Sequence, residues 1–305
     1  MDTALSRRGF LGSAALTAVG LGLTSRPAAA IEPISRKGPA AVKLAICAYS
    51  YRQLLTAKEN PMTLEQFLEK AAEIGFDGVE LTSYYFRDTS PAFLRRLRAR
   101  AFQLGLDVSG AAVGNNFCLP AGPEREKQIA NVKKWVEHSE LLGAPVIRIF
   151  AGSKQKGQSD DEARRLVVEA IEDCCTYAGE HGVYLAIENH GGPTATAEGT
   201  LAILKAVKSP WFGANLDTGN YHSADPYAEI AATAPYAITT HVKVDMTAAG
   251  QKPQPADFKR IVTILRDAGY RGYLAIEYEA KEDPLTALPR HYQALRQAID
   301  SRVRP

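Results

Sequence analysis

Cysteine is scarce in this chain, and the four present rule out a structural zinc site of the usual kind. Cys47, Cys118 and the adjacent Cys174 and Cys175 show no CxxC-type pairing. The vicinal pair falls in a helical pattern, so all four are expected as buried thiols; a Cys47–Cys118 bridge is the alternative open to an exported chain. Past the amino terminus no segment approaches the roughly eighteen consecutive apolar residues that a membrane span needs. No GxGxxG follows the first apolar run, which disfavours an open dinucleotide-binding sheet. No linker or low-complexity stretch interrupts the chain after residue 40. Net charge is also small, +2 over 305 residues.

That charge sits in one place. Residues 1–30 contain "SRRGFLGSAALTAVGLGLT" and close on "PAAA", with Arg7 and Arg8 ahead of Phe10 and Leu11. The pattern is that of a twin-arginine export signal cleaved after Ala30; an uncleaved anchor is the alternative, but the stretch is short for a span. Arg7, Arg8, Arg26 and Asp2 give this segment the whole +2, which leaves the mature chain formally neutral. A surface that tracks phosphates keeps a basic excess, so nucleic acid is disfavoured as a partner. The expected location is the periplasm, and the export machinery is an expected partner. No membrane span is expected after cleavage, and assembly into a homo-oligomer is left open.

The rest of the chain alternates. Apolar runs recur at "KLAICAY" (43–49), "DGVELT" (77–82), "LDVSGAA" (106–112), "PVIRIFA" (145–151), "VYLAIEN" (183–189), "FGANLD" (212–217), "ITTHVKV" (238–244) and "GYLAIEY" (272–278). Their starts lie 26 to 39 residues apart, the spacing of successive strand–helix units. Amphipathic helical patterns such as "TLEQFLEKAAEIG", "PAFLRRLRARAFQLG" and "DFKRIVTILRDAG" lie between them. These end at Gly75, Gly105 and Gly269, and Thr63 with Gln66 forms a capping box. Eight such units predict a single-domain (β/α)8 TIM barrel over residues 42–305, after a flexible lead-in at 31–41.

Alternation along a strand then sorts the polar residues. Val183, Leu185 and Ile187 form the bulky outer set of the fifth run, which turns Glu188 toward the barrel axis. The same parity turns Asp217, His241 and Glu277 inward on the sixth, seventh and eighth. Singly, each has a bland explanation: a cap at Asp217, a core histidine at 241, a surface acid at 277. Together they stand on four successive strands at the end where barrel enzymes keep their active sites. Three crowded carboxylates repel unless a cation intervenes. The set therefore predicts one divalent metal ion, Mn²⁺, Mg²⁺ or Co²⁺ first and Zn²⁺ second.

At these residues the chain resembles the xylose isomerase-like sugar phosphate isomerase/epimerase superfamily. "GFDGVEL", "LAIENH", "NLDTGN" and "IEYE" are typical of it, and the likeness spans the whole mature chain. The ketose 3-epimerase ligand set matches Glu188, Asp217, His241 and Glu277. The resemblance implies a sugar substrate held on the metal and a proton abstracted beside its carbonyl, through an enediolate. Glu188 and Glu277 would exchange that proton on opposite faces of the sugar. Return to the same carbon epimerises, return to the neighbour isomerises, and loss of a β-substituent makes the enzyme a dehydratase or lyase on a keto-sugar or cyclic polyol.

His190, Lys243, Glu80 and Asn220 are the expected substrate-binding residues. Arg148 has ambiguous parity, and Tyr51, Tyr84, Tyr85 and Phe86 are weaker candidates for stacking on a sugar. Asn220 departs from the epimerase pattern, which has histidine three residues after the metal-binding aspartate, so the substrate grip differs. Two rivals share the fold: an exported sugar-binding protein without catalysis, and a nuclease resembling endonuclease IV. The second needs more than the six histidines available.

Overall fold

Eight apolar runs become eight parallel strands in the computed structural model, which describes residues 31–301. The expected signal peptide, residues 1–30, lies outside the described residues. The strands are β1 (Ala41–Cys47), β2 (Gly78–Thr82), β3 (Asp107–Ala112), β4 (Val146–Ile149), β5 (Tyr184–Glu188), β6 (Phe212–Asp217), β7 (Ala237–Val242) and β8 (Arg271–Ile276). They close in chain order, with β8 pairing back onto β1. Parallel strands buried on both faces require apolar residues nearly throughout. Leu44, Ile46, Val79, Leu81, Ile147, Leu185, Ile187, Leu216, Val242 and Ile276 are fully buried in one core. Each such side chain contributes roughly 1.5–3 kcal/mol, which offsets the cost of the charged groups inside the barrel mouth.

The helices begin and end where their sequences say. Thr63 and Gln66 close the capping box on the helix Leu64–Ile74, and Gly75 ends it at φ +100°, a conformation that glycine adopts without Cβ strain. Ser90, Ser159 and Thr196 cap the helices that follow β2, β4 and β5. Among the described residues no helix is long and apolar enough to cross a membrane.

Two expectations are adjusted. β1 starts at Ala41, one residue inside the expected lead-in. Residues 31–40 lack helix and strand but are tied to the barrel: Ile34 N–H donates to Pro235 O at 3.0 Å and the Arg36 guanidinium to Ala237 O at 2.8 Å. In addition, β7 and β8 stop at Val242 and Ile276, short of Lys243 and Glu277. The cause is a change of partner. Lys243 N–H donates to the Thr218 hydroxyl, and Tyr278 N–H to the Ser50 hydroxyl, in place of strand carbonyls. Both side chains therefore stand just beyond the carboxyl end of the barrel. All four cysteines are buried free thiols, so neither the Cys47–Cys118 bridge nor a vicinal one forms.

Candidate active site

Glu188, Asp217, His241 and Glu277 converge. One ligand atom from each lies within 4.8 Å of every other, and all four residues are buried. Register explains the meeting. Asp217 pairs with His241, and His241 with Ala275, two residues before Glu277 on the same face. The β6–β7 register shifts between Ala214 and Asn215, a bulge of the sort that re-aims side chains near active sites. Asn189 fixes the neighbouring strand ends: it accepts from Asp217 N–H at 2.8 Å and donates to Asp217 O at 2.9 Å.

The atoms at the centre lack partners. His241 Nδ1 lies 3.4 Å from Glu188 Oε2 and 3.4 Å from Glu277 Oε2. It makes no hydrogen bond, and neither does Asp217 Oδ2. Buried polar atoms are rarely left so. The charge count points the same way. Glu80, Glu188, Asp217 and Glu277 are buried carboxylates, and Arg148 and Lys243 are the buried cations beside them. With His241 neutral, two negative charges are left over, and a divalent cation cancels them. Three carboxylates and an imidazole fit such an ion.

Without the ion, protons compensate. Burial, only partly opposed by Lys243, pushes the Asp217 carboxyl up to about 7. Burial opposes charge on His241, yet Cys47, Glu80 and Glu277 raise it well above the usual imidazole range. Burial likewise opposes ionisation of Glu188 and Glu277. Arg148 and His241 nevertheless hold Glu188 low, and His241 and Lys243 hold Glu277 well below the carboxylate range.

The remaining candidates take distinct places. Glu80, expected at a substrate hydroxyl, is 2% exposed, and its Oε2 accepts from His241 Nε2 at 2.8 Å. This contact orients the ring and leaves Nδ1 facing the cluster, the arrangement carboxylates impose on metal-binding histidines. Asn220 donates to Glu188 Oε1 at 3.1 Å. Lys243 Nζ sits 3.4 Å from Asp217 Oδ2 and 2.9 Å from Glu279 Oε2, with Glu277 between. His190 is exposed, its ring packed on Phe150 at 4.5 Å. Tyr51 is fully buried against Phe67, and the half-buried Phe86 packs on Trp135, so both rings serve packing rather than a sugar face.

Two residues at the cluster escaped assignment from sequence. Arg148 turns inward, in register with Ala186; its Nε stands 3.1 Å from Glu188 Oε2 and its guanidinium lies 3.9 Å from the Phe150 ring centre. Cys47 sits behind Glu80 and His241. Burial and Glu80 push its thiol up. For Arg148 the usable signal was the register with β5; for Cys47 it was the inward parity of Ala45.

A model of the Xylose isomerase-like TIM barrel family matches residues 68–298. The chain belongs to that family. An inosose dehydratase of Erwinia tasmaniensis is 26% identical over 277 residues, covering 77% of this chain and 87% of that protein. A 3-dehydroshikimate dehydratase of Bacillus anthracis is 23% identical over 184 residues, 58% of this chain and 61% of that protein. A solved D-psicose 3-epimerase from Clostridium cellulolyticum superposes with a TM-score of 0.69 at 17% identity, covering 84% of this chain and 99% of that one. At that identity the likeness concerns the fold.

Proposed function

We propose that this chain is a divalent-metal-dependent enzyme that moves a proton beside the carbonyl of a polyhydroxylated ketone, a keto-sugar or an oxidised cyclic polyol. The convergence of Glu188, Asp217, His241 and Glu277 beneath an open cavity carries this reading. These four side chains would hold the ion, Mn²⁺, Mg²⁺ or Co²⁺ by their oxygen-rich character. A cation bound there polarises a carbonyl oxygen and offsets the negative charge that develops beside it. Glu80 keeps His241 turned toward the cluster. Arg148 and Lys243 keep Glu188 and Glu277 ionised, ready to accept a proton from carbon. Carboxylates held this low are weak bases, so only a strongly acidified C–H will serve.

Two carboxylates approaching His241 Nδ1 suit withdrawal of the proton on one face and return on the other. That favours a sugar epimerase or isomerase. Lys243 supports a second reading. Its ammonium lines the cavity beside Glu277 and can give a proton to a departing hydroxyl. A glutamate then takes the carbon-bound proton, the C–H electron pair forms the double bond, and the C–O bond breaks to release water. The dehydratase names of the curated relatives support this outcome.

Mass spectrometry of a ketopentose, a ketohexose, inosose and 3-dehydroshikimate, each incubated in D₂O with the metal-loaded chain, separates the readings. Uptake of deuterium without loss of mass supports epimerisation or isomerisation, and loss of one water supports elimination. A panel that binds without exchange contradicts catalysis. We also propose export: the paired Arg7 and Arg8 ahead of an apolar stretch support it. Recovery of the mature protein from the cytoplasm with residues 1–30 attached would contradict that.

A further inference from the structure

Two cavities meet at Asn220 and His222. The first, about 310 Å³, lies over Lys243, Glu277 and Glu279 and is the mouth of the site already described. The second, about 440 Å³, opens sideways between His190, Ala195, Thr196 and Glu229. Each is of the size range that holds small ligands, and only the first reaches the acidic cluster.

The lining of the lateral cavity states what it can take. It contains no lysine or arginine and has one carboxylate, Glu229, so a phosphate or other anion finds no counter-charge there. Its polar side chains are an amide, two imidazoles, two hydroxyls and that carboxylate. Glu229 borders the cavity, and its Oε1 accepts from Ala197 N–H at 2.9 Å. His222 Nδ1 lies 3.1 Å from Thr247 O. A carbonyl there assigns the proton to Nδ1 and leaves Nε2 as an acceptor. Thr196 and Ser223 add hydroxyls. The His190 ring, backed by Phe150 and that in turn by Arg148, offers a flat face at the rim. Hydroxyls on a neutral ring, which both donate and accept, suit these groups.

We propose that the lateral cavity is a subsite for a second, uncharged sugar residue joined to the ring that reacts. The substrate is then a keto-sugar glycoside rather than a free or phosphorylated monosaccharide. This rests on the proton-transfer reading of the main site, which fixes where the reacting ring sits. Asn220 is the ridge between the two rings: it holds Glu188 on one side and walls the second cavity on the other.

Isothermal titration calorimetry on the full chain loaded with Mg²⁺ tests this with glucose, maltose, cellobiose, sucrose, trehalose and glucose 6-phosphate as probes. At least one disaccharide is expected to bind about tenfold more tightly than glucose, or about 1.4 kcal/mol, and glucose 6-phosphate no more tightly than glucose. Ala195→Phe, a change at an exposed position that fills the lateral cavity, is expected to abolish the disaccharide advantage and leave glucose affinity and metal content as they were. The proposal is overturned if no disaccharide outbinds glucose, if the phosphate does, or if the advantage survives Ala195→Phe. These titrations need no turnover. A disaccharide advantage without deuterium exchange in the ketose panel removes the enzymatic reading and keeps the subsite, and exchange without the advantage removes the subsite alone.

Discussion

Glu188 is held by four groups, and they set its behaviour. Arg148 supplies charge, Asn220 and Asn215 hydrogen bonds, and His241 a neighbour across the cluster. Arg148 and Glu188 are both nearly inaccessible, and removing one partner of a buried ion pair leaves the other charge unmet. Arg148→Met is expected to destabilise the fold by about 3–5 kcal/mol in urea denaturation; a loss below about 1 kcal/mol, the range of exposed pairs, would show that the pair matters little. Asp217 sets the pH response. In the metal-free chain it takes a proton near pH 7. Because its folded value is raised, its contribution to metal-free stability is complete below the ordinary carboxylate range and is lost as pH rises through about 7. A cation must displace that proton, so affinity is expected to weaken as pH falls below about 7. Competition titrations against a fluorescent chelator read this directly, and an affinity that is flat from about pH 5 to 8 would contradict it.

At the scale of elements, the loop after β6 shows why "NLDTGN" carries glycine. A Cβ on Gly219 would stand 2.4 Å from Lys243 Cγ and 2.7 Å from its Cβ. Gly219→Ala is therefore expected to push Lys243 from between Asp217 and Glu279, costing about 1–3 kcal/mol as overpacking and altering Mg²⁺ affinity. Wild-type melting and wild-type affinity together would show that Lys243 adapts freely. The same loop marks where sequence reading stops. Period-two alternation placed Asp217 and His241 on the inner face because their strands are regular. It could not show that β7 and β8 end early, since Thr218 and Ser50 take over strand hydrogen bonds from residues far away in the chain.

Over the whole molecule, the barrel and the convergence of Glu188, Asp217, His241 and Glu277 were legible because each βα unit announces itself locally, by apolar run, cap and glycine stop. What closure brings together was not. Glu80 meets His241 across 161 residues, and no local pattern distinguishes that contact from a hydroxyl-binding role. Arg148, flanked by Ile147 and Ile149, gave two equally bulky outer faces until the register with Ala186 settled it. The lateral cavity arises where the loops after β5 and β6 diverge, and loop paths leave little periodic trace.

The charge count inside the mouth is the claim most exposed to test. Elemental analysis of the purified chain should find one divalent ion per molecule. Glu188→Ala, Asp217→Ala, His241→Ala and Glu277→Ala should each lose it while circular dichroism stays that of the folded barrel. Metal content unchanged in all four variants, or absent from the wild-type chain even after incubation with Mn²⁺, Mg²⁺, Co²⁺ or Zn²⁺, would contradict the site.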